Sequence, residues 1–139
     1  MNNLLYAVDD PDEVVRNNAA RAIGMLAGYV GSHPELKITI PSDPFIKLIN
    51  SIVWTDRNKG AGVLKQLTQN RNQKLLNEIK KEALPSIIEM AKWKDRGHAF
   101  FSFMILGRIA GIDEGSLINK NISKDWVAQI EEMVNKCCR

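Results

Sequence analysis

Apolar residues recur at helical spacing over almost the whole chain, and clusters of turn formers interrupt them at regular intervals. Residues 3–8 read as the tail of a helix. Asp9-Asp10-Pro11-Asp12 follows, and then Val15, Ala19, Ile23, Leu26 and Val30 form one stripe of helical period ending near Gly28 to Gly31. Asp10 is the expected cap, Pro11 suits the first helical position and Glu13 the reciprocal capping acid. Residues 31–44 carry Gly31, Pro34, Pro41 and Pro44 and read as a loop, with Ser42 or Asp43 capping a helix that Pro44 opens. Phe45, Ile49, Ile52 and Val53 are its expected buried face. Thr55-Asp56 is expected to turn the chain into a helix over about 57–69, resting on Ala61, Leu64 and Leu67.

From Asn72, the positions Leu75, Leu76, Ile79, Ala83, Leu84, Ile87, Ile88 and Ala91 sustain one long face, with Pro85 inside it. Proline lacks the backbone donor and crowds the preceding turn, so a kink is expected close to residues 81–84. The next helix, about 96–110, is apolar nearly all round and must be covered on several sides. A last helix, capped by Ser123, shows Trp126, Ile130, Met133 and Cys137 on one face and charges elsewhere. That pattern suits a lid on the end of a stack. The clearest β-branched cluster, Ile38-Thr39-Ile40, is cut short by Pro41, so the fold class is all-α.

The same pattern repeats. Arg16, Arg57 and Arg96 each lie near a helix start, at a near-constant interval. Small or apolar residues follow each at helical spacing: Ala19-Ala20-Ile23, Gly60-Ala61-Leu64, Ala99-Phe100-Phe103. A period of about 40 residues marks an α-solenoid of stacked helix pairs. Aligning Gly24 and Gly28 on Gly107 and Gly111 gives a second register, two slightly longer units apart, which displaces the arginines. The expected architecture is one domain, 1–139: a right-handed α-α superhelix of about three helix pairs. Its units are about 3–30, 43–70 and 72–111, the first incomplete, with a cap over 123–136.

Over residues 3–111 the chain resembles the HEAT-repeat family. The likeness rests on Asp-Pro-Asp-Glu-Val-Val-Arg at 10–16, Ala19-Ala20-x-x-Ile23, and the proline-bearing first helix of the third unit. The resemblance implies an aspartate and an arginine that cap helices and tie neighbouring repeats into a ladder. Asp10 with Arg16 matches that pattern, whereas Asp56-Arg57 and Asp95-Arg96 depart from it because acid and arginine adjoin. It also implies a non-catalytic scaffold that binds a protein along a concave face made by the second helix of each pair. Some HEAT-like proteins are DNA glycosylases or bilin lyases, but no catalytic aspartate beside aromatic walls can be placed here.

Charge sharpens this only a little. The net charge is +3, and residues 57–81 hold seven basic side chains against Glu78 alone. Arg57, Lys59, Lys65 and Arg108 are the expected groove residues, preferring an acidic partner. Trp54-Thr55-Asp56-Arg57 and Trp93-Lys94-Asp95-Arg96 share Trp-x-Asp-Arg. They read either as corner tryptophans with capping aspartates, or as interface anchors in which Trp54, Trp93 and Arg96 join the groove set. The basic stretch also supports an alternative, binding to a phosphate backbone helped by Gln69, Asn70, Asn72 and Gln73.

Candidate chemistry is sparse. His33 and His98 have no further ligand at helical spacing, so no metal site is expected. Asp9-Asp10 and Asp113-Glu114 sit in a cap and a post-helix turn, which is no setting for general acid–base work. No cofactor or enzymatic activity is expected. Cys137 and Cys138 are adjacent and read as free thiols of a reducing, cytoplasmic setting. No stretch reaches the roughly 18 apolar residues of a membrane span, and Met1-Asn2-Asn3-Leu4 lacks the basic flank of a signal peptide. Self-association is expected, if anywhere, through the apolar helix 96–110 or the incomplete first repeat.

Overall fold

The computed structural model describes residues 1–121 and 125–137. The described residues form eight α-helices and one 3-10 turn, and no strand is found among them. The chain divides into two compact units, Met1–Asn70 and Arg71–Arg139.

In the first unit, α1 (Asn2–Ala7) lies against α2 (Glu13–Ser32), α3 (Asp43–Ile49) against α4 (Trp54–Leu67), and α2 against α4. Asp12, not Asp10, caps α2: its carboxylate accepts the amides of Val14 at 2.7 Å and Val15 at 3.4 Å. The Asp10 carboxylate instead takes the amide of Asp12 at 2.8 Å, shaping the turn ahead of the helix. The buried stripe of α2 is Ala19, Ala20, Ile23 and Ala27. Val15 and Leu26, expected inside, stay more than a third exposed. Small residues win that face because α4 comes close along it. α2 runs on through Gly31 and Ser32, so the loop is 33–42; it holds a 3-10 turn, Pro34–Leu36, and Pro44 lies in the first turn of α3 as expected.

Phe45 and Ile49 are fully buried, whereas Ile52, expected beside them, is fully exposed. Ile52 follows the end of α3, so the helical period that oriented Phe45 and Ile49 no longer applies to it. The chain re-enters helix at Trp54 rather than Arg57, which places Thr55 and Asp56 inside α4. Gly60 permits that packing. A β-carbon there would stand 2.7 Å from the Ile49 backbone nitrogen and 2.8 Å from the Phe45 carbonyl oxygen.

In the second unit, α5 (Gln73–Ala91) pairs with α6 (Arg96–Ile109), and α7 (Glu114–Asn121) and α8 (Trp126–Cys137) pack on α6. The Asn72 side chain caps α5 through the Leu75 amide at 3.1 Å. The helix runs on through Pro85 to Ala91. Asp95 caps α6 through the His98 amide at 3.1 Å, as one reading of Trp-x-Asp-Arg expects. α6 is covered broadly: Ala99 and Ser102 through Arg108 are all buried. α8 buries Trp126, Ile130, Met133 and Cys137, the face its spacing predicts. Trp126 stacks on Phe103 at 4.1 Å between ring centroids and donates its indole N–H to the Ala91 carbonyl at 2.9 Å. Cys137 is buried, its thiol directed at the Leu106 carbonyl at 3.9 Å; Ser123 and Cys138 lie outside the described residues.

α7 is an addition. Asp113 and Glu114 do not sit in a simple turn. Gly111, at φ +73°, reverses the chain after α6, and Asp113 then caps α7 by accepting the Ser116 amide at 2.9 Å. Helix starts therefore recur at Glu13, Trp54 and Arg96, at nearly equal steps along the chain. Glu13 and Arg96 are as far apart in sequence as Gly24 and Gly107, so the helix starts follow the glycine register. Arg16 and Arg57 share the fourth helical position, and Arg96 stands at the first.

Candidate functional site

The first unit contains a groove of about 1180 Å³ between the end of α1, the turn into α2, and α3. Its floor is an ion pair. Arg16 donates from Nε to both Asp56 carboxylate oxygens at 3.2 Å and from Nη2 at 3.0 Å. Its Nη1 donates to the carbonyls of Asp10 and Pro11, both at 2.9 Å. Asp56 is 5% exposed and also lies 3.4 Å from the Ser51 hydroxyl. The hydrogen bond to Asp56, reinforced by its charge, holds the Arg16 guanidinium protonated to above its ordinary range. Those bonds occupy Nε and both terminal nitrogens with partners inside the unit.

The rim is different. Asp9 and Lys47 meet there as a pair more than 70% exposed on both sides, a class of contact worth little in water. Asp10 and Asp43 complete the charged lining. Leu5, Val8, Pro11, Pro44 and Leu48 supply apolar wall, and Tyr6, 82% exposed, stands at the edge. Four aspartates thus face Arg16 and Lys47, in a unit where seven acidic and seven basic residues balance.

The residues singled out from sequence lie elsewhere. Trp54, Arg57, Lys59 and Lys65 are half-buried along α4. In the second unit Trp93 is 36% exposed in the turn before α6. The Arg96 guanidinium sits 5.3 Å above the Trp126 ring. Arg108, expected as a groove residue, is enclosed in the second unit. It is 2% exposed, and its Nε and Nη2 donate to the Glu114 carboxylate, the former at 3.2 Å. Arg71 reaches the same carboxylate at 3.1 Å. Arg108 first, then Arg71, hold Glu114 below the usual glutamate range.

The basic stretch 57–81 divides between the units, with Arg57, Lys59 and Lys65 on α4 and the exposed Lys74, Lys80 and Lys81 on α5. Among the described residues no cluster of histidine, cysteine, aspartate or glutamate could hold a metal ion. No described helix is long and apolar enough to cross a membrane. No protein-family model matches the chain, and no curated protein matches its sequence.

The groove is hidden from a reading of the sequence for a traceable reason. The local motif pairs Arg16 with an aspartate of its own repeat, whereas its bonded partner, Asp56, lies 40 residues on. The density of acid at Asp9 and Asp10 is plain in the sequence. That Asp43 and Lys47 face it depends on how α3 docks.

Proposed function

We propose that this chain is a HEAT-like α-α repeat module that binds another protein without catalysis, using surfaces that its packed helix pairs hold rigid. One observation carries the reading: Arg16 ties the start of α2 to Asp56 at the start of α4, one repeat later. A ladder of this kind fixes successive second helices side by side, as a solenoid requires. The even spacing of the helix starts at Glu13, Trp54 and Arg96 supports the same register. A rigid face loses little freedom on binding, so its contacts convert efficiently into affinity. On this reading Lys59 and Lys65 of α4 border the second-helix face, and the superhelix is right-handed.

A photo-crosslinking residue at Lys59 or Lys65 tests it. Irradiation in a lysate of the source cells should give a discrete protein adduct that excess unlabelled chain competes away. Adducts that do not compete, or that contain only nucleic acid, overturn the reading. The phosphate-backbone alternative is tested by retention of labelled duplex DNA, which must weaken steeply as salt rises.

A further inference from the structure

We propose that the groove between α1 and α3 receives an extended peptide segment carrying lysine or arginine. The proposal rests on the binding-module reading and adds the partner's chemistry and its seat. The charge balance of the lining selects the sign of the occupant. Arg16 has Nε, Nη1 and Nη2 bonded to Asp56 and two backbone carbonyls, so it is a poor receptor for an incoming anion. Lys47 is the other cation of the lining, and it is already drawn to Asp9. With Asp56 matched to Arg16 and Asp9 to Lys47, Asp10 and Asp43 remain in excess, so a cation entering the groove meets net negative charge. Negative surface with low-dielectric apolar walls concentrates such a field.

The walls select the form of the occupant. The volume, about 1180 Å³, exceeds the roughly 300–1,000 Å³ of small-molecule pockets, and the groove is partly open to solvent, which fits a run of several residues. Leu5, Val8, Pro44 and Leu48 accept the aliphatic stems of lysine or arginine, while the charged heads reach the aspartates. Tyr6 offers an exposed ring face at the rim, on which a guanidinium can stack. The exposed Asp9–Lys47 pair costs little to open, so an incoming cation can take the place of Lys47. The chain as a whole is positive, at +3, so capture of a cationic peptide reports a local field and not bulk attraction.

The test is fluorescence anisotropy of two labelled octapeptides, alternating arginine–alanine and alternating glutamate–alanine, with the full chain at low salt. The arginine peptide should bind saturably and weaken as salt rises, and the glutamate peptide should not bind. The double variant Asp9→Asn/Asp43→Asn, both exposed and outside the core, should lose affinity about tenfold or more with unchanged circular dichroism. Tyr6→Ala should lose a further few-fold. Equal binding of both peptides, indifference to the double variant, or no binding at low salt overturns the proposal. If the peptide fails while the Lys59 or Lys65 adduct still forms and competes, the groove assignment falls alone. If both fail, the binding-module reading falls with it.

Discussion

Arg16 and Asp56 sit 40 residues apart in sequence and 3.0 Å apart in space. The aspartate is nearly enclosed, and the arginine side chain is 16% exposed. An ion pair so placed matters less for its net attraction than for what its loss leaves behind. Asp56→Ala strands a shielded guanidinium, and Arg16→Ala strands a shielded carboxylate. Each should destabilise the first unit by about 2–4 kcal/mol in urea unfolding. The double variant should recover part of that loss. Strict additivity of the two single changes would mean that the residues do not interact.

Close approach of α3 and α4 at Gly60 gives a second expectation. Gly60→Ala drives a methyl group against the backbone of Ile49 and Phe45, which cannot move aside as a flexible side chain would. A loss of about 1–3 kcal/mol is expected from overpacking. Gly31→Ala meets nothing within 4 Å and should be neutral or stabilising by about 0.5–1 kcal/mol. Thermal midpoints of the two variants should move in opposite directions or differ clearly.

Trp126 fastens α8 to α5 and α6 through its ring and its indole N–H, beside the Arg96 guanidinium over the same ring. Trp126→Phe keeps an aromatic ring against Phe103 but removes the donor to the Ala91 carbonyl. It should cost about 1–2 kcal/mol. Trp126→Ala removes the ring as well and should cost about 3–5 kcal/mol. Similar losses for both would assign the effect to the hydrogen bond alone.

Glu114 sets a pH dependence whose sign is fixed. Its carboxylate is held below the ordinary range by Arg108 and then Arg71. The folded state therefore binds a proton less readily than the unfolded chain does. The stabilisation is fully present above the unfolded glutamate value, roughly 4.3, and is lost as pH falls through the depressed folded value. Urea midpoints measured from neutral pH downward should fall across that window. Glu114→Gln should lower the midpoint at neutral pH and flatten the slope; an unchanged slope would show that other carboxylates carry it.

Helix content, the buried faces of α5, α6 and α8, and the regular recurrence of helix starts were legible from the sequence alone. Each depends on residues a turn or two apart, and a helix places those on one face whatever it packs against. Leu76, Ile79, Ala83 and Ile87 had nowhere else to point. Tertiary structure decided the rest. Whether Asp56 caps a helix or bonds to Arg16 depends on where α4 begins and how α2 docks against it. Whether Arg108 faces a partner or Glu114 depends on α7 folding back over α6. Ile52 is exposed because α3 ends before it, and the groove exists because α3 sets Asp43 and Lys47 opposite Asp9. These are long-range choices, made by the closest packing the chain can reach, and no local period encodes them.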